Sequence, residues 1–89
     1  MMPERIVQII NKAGLHARPA AEIVKLAAKY NAEITVVRDE LEVNGKSIMG
    51  VMMLAAECGS TLQLKAEGPD AKEALDALER LIGSKFGES

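Results

Sequence analysis

Aromatic residues are nearly missing from this 89-residue chain, which has one tyrosine, Tyr30, one phenylalanine, Phe86, and no tryptophan. Single-stranded nucleic acids are held largely by stacking on aromatic platforms, so this scarcity argues against that class of partner. A net charge of −2 and a sequence pI of about 5.4 point the same way, because phosphate backbones recruit basic faces. Any core must be built from Ile, Leu, Val, Ala and Met. Cysteine occurs once, at Cys58, so neither an internal disulfide nor a multi-cysteine metal site can form, and Cys58 reads as an inert thiol near a turn. Histidine also occurs once, at His16, which leaves metal ligation without a second imidazole. No apolar run approaches membrane-spanning length, and Met1 to Arg5 is not followed by a signal-peptide pattern. The chain is therefore expected to be cytoplasmic, with no membrane insertion and no nucleic-acid partner.

The length suits one domain over residues 1–89 with a modest core and no large enclosed substrate cavity. No repeat, low-complexity tract or linker interrupts it. Glu4 to Ile10 is rich in Ile and Val and predicts a strand. The apolar spacing turns helical from Ala17 to about Lys29, where Ala20, Ile23, Val24 and Ala27 share one face. Glu33 to Arg38 and Leu41 to Val43 return to strand chemistry around a tight Asp39-Glu40 connection. A short helix is expected from Ser47, with Ile48, Val51, Met52 and Ala55 at helical spacing, and Gly59 ends that region. Thr61 to Ala66 alternates cleanly between apolar and polar residues, as a half-buried strand does. The last helix has Asp70 as a candidate cap, Glu73 placed as in a capping box, and Gly83 to close it. The order β-α-β-β-α-β-α, with amphipathic helices to cover one face of a sheet, implies a two-layer α+β sandwich. These residues alone leave the strand order open.

His16 lies in Gly14-Leu15-His16-Ala17-Arg18-Pro19, where loop meets helix. Pro19 fixes that placement, since proline is tolerated in a first helical turn, whose N–H groups have no helical partner. Free N–H groups and the positive end of the helix dipole favour an anion there. The same positive potential disfavours imidazolium, leaving a neutral, nucleophilic ring. Arg18 adds a permanent charge able to grip phosphoryl oxygens bidentately, and Gly14 permits an unusual backbone angle that turns the ring outward. By spacing alone, a lone histidine beside a helix start is more often a cap or a surface residue than a phosphoryl acceptor. A hydrolytic dyad with Ser47 or Ser60 finds no support in the sequence.

Gly45-Lys46-Ser47 has the look of a phosphate-binding loop, but the glycine required five residues earlier is Glu40, so the nucleotide-site reading fails. Ser47 instead reads as the N-cap of the short helix, a position that tolerates an added phosphate electrostatically while changing the charge of the surface around it. The run Ile48-Met49-Gly50-Val51-Met52-Met53-Leu54 has more apolar side chains than so short a helix can hide in a small core. Some of Ile48, Met49 and Met52 are expected to face solvent as an adaptable docking patch.

Taken together, Asn11-Lys12-Ala13-Gly14-Leu15-His16-Ala17-Arg18-Pro19-Ala20-Ala21 and Asn44-Gly45-Lys46-Ser47-Ile48-Met49-Gly50-Val51-Met52 resemble the HPr family, the phosphocarriers of the bacterial phosphoenolpyruvate-dependent sugar phosphotransferase system. The Ala66 to Gly68 segment and the last helix match as well, so the resemblance covers essentially the whole chain. Gly-Leu-His-Ala-Arg-Pro is far more specific than an isolated histidine, and with the serine motif it turns the reading of His16 to the phosphoryl acceptor. The resemblance implies an open-faced sandwich with a four-stranded antiparallel sheet in the order 1-4-2-3, helices on one side. It implies a carrier rather than an enzyme, with no cofactor: enzyme I phosphorylates His16 on Nδ1, and a sugar-specific IIA protein or domain takes the group. Arg18 matches the family's active-site arginine. Ser47 matches the serine modified by HPr kinase/phosphorylase and read by a catabolite-control transcription factor. Ala17, Ala20, Ile48, Met49 and Met52 match the shared docking surface, and Lys25 a peripheral basic contact. The chain is expected to be a monomer with transient partners. Two rivals remain, a purely regulatory protein acting through phosphorylated Ser47 and a small-molecule-binding α+β module. The first is disfavoured by the presence of His16, and the second predicts a stable oligomer.

Overall fold

In a computed structural model that describes residues 3–88, the alternating segment becomes the organising strand of a four-stranded sheet. The strands are β1 (Glu4–Gln8), β2 (Glu33–Arg38), β3 (Leu41–Asn44) and β4 (Thr61–Glu67), and the helices are α1 (Ala17–Ala27), α2 (Ile48–Met53) and α3 (Ala71–Gly83). All pairings are antiparallel and the spatial order is β1-β4-β2-β3, so the open-faced sandwich expected from the resemblance is the observed fold. β4 is central: Leu64 faces Arg5 of β1 on one side and Val36 of β2 on the other. Its alternation works as anticipated, with Leu62, Leu64 and Ala66 buried under the helices and Thr61 and Glu67 exposed.

The helices depend on that burial. At 11 and 13 residues, α1 and α3 are near or below the length at which an isolated helix persists in water. Ala20, Ile23 and Ala27 of α1 and Ala74, Leu75, Leu78 and Ile82 of α3 are 0–1% exposed, forming one buried stripe on each helix. Each large side chain buried there contributes about 1.5–3 kcal/mol, enough to offset the ordering of the helix that carries it.

α2 is too short for that mechanism and is held at its ends. Ser47 Oγ accepts the Gly50 N–H at 3.1 Å, the N-cap read from sequence. Arg38 Nη1 donates to the carbonyls of Leu54 (2.9 Å) and Ala55 (3.3 Å), which satisfies the other end. Its buried anchors are Val51 and Leu54, while Ile48 and Met52 are exposed and Ala55 lies beyond the helix at φ 49°. Ile48 and Met52 thus face solvent, as the surplus of apolar side chains in so short a helix implies.

The ends of α3 differ from expectation. Asp70 occupies the N-cap position but caps nothing; its carboxylate accepts the backbone N–H groups of Asn31 and Ala32, both at 2.8 Å. The bond from Asn31 above all, helped by those from Ala32 and Asp70's own N–H and by the charge of Lys46, holds this carboxyl below its ordinary range against the opposing effect of burial. Gly68 beside it, at φ 144°, brings the α1–β2 connection so close that a Cβ would lie 2.8 Å from Ala32 Cα. Gly83 does not close the helix, which runs through it to Ser84. The chain reverses through three left-handed residues, Lys85 (φ 59°), Phe86 (φ 56°) and Gly87 (φ 75°), with Phe86 buried in the core.

Candidate functional site

The loop that carries His16 is fixed by its backbone before any side chain contributes. Gly14 adopts φ 71° and its N–H bonds the Asn11 carbonyl at 3.1 Å, while the Leu15 N–H bonds the Ala56 carbonyl at 2.8 Å. Leu15 is buried, so the next residue turns outward. A Cβ on Gly14 would lie 2.5 Å from the Ala56 carbonyl oxygen, so Gly14 supplies closeness as well as backbone freedom. Gly14→Ala should therefore lower stability by about 2 kcal/mol and shift the His16 loop, measurable as a lower denaturation midpoint at unchanged m-value.

His16 is the N-cap of α1, in extended conformation (φ −75°, ψ −175°), and its side chain makes no capping bond. The first-turn N–H groups of Ala17 and Arg18 therefore have no helical acceptor, and Pro19 contributes none. The imidazole is 44% exposed and the Arg18 side chain 57% exposed. Both meet on one oxygen: Glu88 Oε2 lies 3.0 Å from His16 Nε2 and 3.1 Å from Arg18 Nη2. The second carboxylate oxygen of Glu88 accepts from Asn11 Nδ2 at 3.2 Å, and the same nitrogen donates to the Gly14 carbonyl at 2.8 Å.

Neither Asn11 nor Glu88 was found by sequence reasoning. Asn11 was a loop residue, yet it is fully buried. Glu88 stands 72 positions from His16, and the one available hint was Phe86, a rare aromatic placed where it could anchor a tail. The bond to His16 above all, then those from Asn11 and Arg18, holds the Glu88 carboxyl below its ordinary range, partly opposed by desolvation. A lowered folded value means that docking favours the carboxylate, so the tail's contribution to stability is present above the ordinary value and lost as pH falls through the lowered one. Amide shifts of Asn11, Arg18 and Gly87 followed by NMR on acidification should report release of the tail only in strongly acidic solution.

The remaining residues of interest lie around this centre. α2 packs against α1 and presents Ile48 (42% exposed), Met49 (73%), Met52 (43%) and also Met53 (65%) to solvent. Ala17 is exposed beside His16, whereas Ala20 is fully buried in the core, so its side chain is inaccessible to a partner. Lys25 is exposed nine residues after His16, about 13 Å along the helix axis at about 1.5 Å per residue. It flanks a shallow groove with Glu22, Leu26 and Leu81. Cys58 is exposed in the connection to β4. A concavity of about 480 Å³ lies over β2 and β3 and includes none of the residues around His16. Among the described residues, no group of three or more His, Cys, Asp or Glu could hold a metal ion, and no helix is long and apolar enough to cross a membrane. The site is thus an open surface rather than a pocket: an exposed imidazole, a guanidinium and helix N–H groups without a helical acceptor, beside an apolar patch.

Residues 3–84 match the family described as PTS HPr component phosphorylation site. The phosphocarrier protein HPr of Treponema pallidum is 54% identical over 87 residues, covering 98% of this chain and 99% of that relative. That of Cupriavidus necator is 51% identical over 87 residues, with 98% of each chain covered. Among solved structures, HPr from Thermoanaerobacter tengcongensis superposes with a TM-score of 0.94 at 50% identity, covering 98% of both chains.

Proposed function

This chain belongs to the HPr family and is a phosphocarrier of the phosphotransferase system, not an enzyme, and on that premise we propose that His16 Nδ1 accepts the phosphoryl group from enzyme I and yields it to IIA proteins or domains. The observation that carries this assignment is the convergence of His16 and Arg18 on a single anionic oxygen, at 3.0 and 3.1 Å. Sharing that oxygen with the Nε2 edge of the ring keeps the guanidinium within reach of the imidazole, from where it can turn to neutralise the charge of a phosphoryl group on Nδ1. With 44% of the His16 side chain exposed, a partner's active site has direct access to the ring. Partner surfaces exclude water once docked, and an open site suits transfer in either direction because neither state is buried by the carrier itself.

Ile48, Met49 and Met52, with Ala17, supply the apolar docking surface, and Lys25 a charged contact at its margin. Ala20 supports that surface from beneath. The whole of residues 1–89 acts as one HPr-like domain in the cytoplasm, as a monomer. The test is incubation with enzyme I, magnesium and labelled phosphoenolpyruvate: one labelled phosphate that survives alkali and is lost in acid supports the reading, and no label from an active cognate enzyme I overturns it.

Ser47 is the regulatory position of this proposal, serving as substrate for HPr kinase/phosphorylase and, once modified, as a contact for a catabolite-control transcription factor. Its Oγ is engaged by the Gly50 N–H in a partly exposed cap, so a phosphate could keep that N–H while adding nearly two negative charges beside Ile48 and Met49. Ser47→Asp should weaken enzyme I docking about tenfold, measured by titration calorimetry, without loss of helix α2. Equal affinities for the two forms would remove Ser47 from control of docking.

A further inference from the structure

The last residues described, Ser84 to Glu88, form a tight reversal around a buried anchor. Lys85 and Phe86 both occupy the left-handed region, at φ 59° and 56°, a conformation that costs a non-glycine residue energy. The reversal buries Phe86 to 3% exposure and delivers Glu88 onto the His16 ring. Asn11, itself 0% exposed, holds the other oxygen of that carboxylate. The Glu88 side chain is 17% exposed, well below the 44% of the histidine it touches. A strained reversal, a buried anchor and a buried amide thus converge on placing one carboxylate at one ring nitrogen.

Protonation logic then says what the contact does. An ionised carboxylate has no hydrogen to give, and the three donors around Glu88 hold it in that form. Nε2 must therefore be the donor. In a neutral imidazole that assignment leaves Nδ1 unprotonated, with its lone pair free. We infer that Glu88 is the positioning residue of phosphoryl transfer, accepting the Nε2–H of His16 so that Nδ1 is the atom that takes the phosphoryl group.

The inference rests on the carrier reading of His16 and adds the group that selects its reactive atom. In transfer, the Nδ1 lone pair forms the bond to phosphorus while the bond from phosphorus to the donor's leaving atom breaks, and that electron pair stays with the donor. The Nε2 proton remains on the ring, shared with Glu88, whose charge offsets the positive charge developing on the imidazole. Arg18 is parked on the same carboxylate at 3.1 Å and turns to the phosphoryl oxygens as they arrive. The role resembles that of a carboxylate orienting a catalytic histidine, although here the carboxylate is supplied by the tail.

The test compares the full-length chain with Glu88→Ala and Glu88→Gln. Nitrogen-15 NMR of the His16 ring in the neutral range should show protonated Nε2 and unprotonated Nδ1 in the parent chain. In Glu88→Ala the two tautomers should mix, and in Glu88→Gln, whose amide oxygen still accepts, the parental pattern should return. In phosphorylation by charged enzyme I, Glu88→Ala should lower the maximal rate about tenfold, with the half-saturating concentration unchanged. A parental tautomer pattern in Glu88→Ala would overturn the inference, whatever the rate, because the tail would then be a structural contact only. So would a glutamine variant that fails to restore the pattern. Failure of the parent chain to take label on His16 would sink the carrier reading instead, an outcome the ring spectra of the three proteins leave separate.

Discussion

His16→Ala abolishes phosphoenolpyruvate-dependent labelling completely while leaving the fold in place. The structure separates these two effects. The imidazole makes no capping bond to α1 and is 44% exposed, so its removal deletes neither a helix cap nor core packing. Circular dichroism and the thermal midpoint should change little, within the range of a surface substitution. The chain has no second histidine to take over, and so the loss of acid-labile phosphate should be total. Full labelling of the alanine variant would place the acceptor on another residue and remove the central element of the proposed function.

Arg18→Ala should slow phosphoryl transfer about 100-fold, the scale seen when one preorganised donor to a developing anion is deleted. Arg18 is 57% exposed, and its described side-chain contact is Glu88, so a loss of rate at an unchanged melting temperature would locate its role in transfer rather than folding. Arg18→Lys should recover part of the rate, because the charge returns without the forked geometry. Stopped-flow transfer from charged enzyme I measures all three proteins, and kinetics identical to the parent chain would exclude Arg18 from the mechanism. The two substitutions also differ in kind: His16→Ala removes the bond that is made, whereas Arg18→Ala removes only its electrostatic support.

How much of this was legible before the structure depends on the range over which each feature is encoded. Leu62, Leu64 and Ala66 alternate because a strand alternates, and Leu75, Leu78 and Ile82 recur because a helix turns every 3.6 residues. Pro19 and the polar loop before it marked His16 as a helix start, and Ser47 was recognisable as a cap from its neighbours alone. The limits appear where a residue can satisfy its chemistry locally or at a distance. Asp70 has the identity and spacing of a cap, yet it binds Asn31 and Ala32, because the α1–β2 connection is folded against it and offers two N–H groups of its own. Ala55 has the spacing of a helical core position, yet it is exposed in the left-handed region, because α2 ends at Met53.

By itself, then, the sequence determined the strands, the helices, the aliphatic core and the placement of a lone histidine beside an arginine at a helix start. Each of these follows from contacts between residues a few positions apart. Family resemblance supplied the strand order, which local periodicity leaves open because β1 and β4 are paired across more than fifty residues of chain. The tertiary structure alone decided that Asn11 and Glu88 complete the site and that Ala20 lies beneath it. A hydrogen bond between residues 72 positions apart leaves no periodic signature, and its formation depends on how the whole chain closes around Phe86.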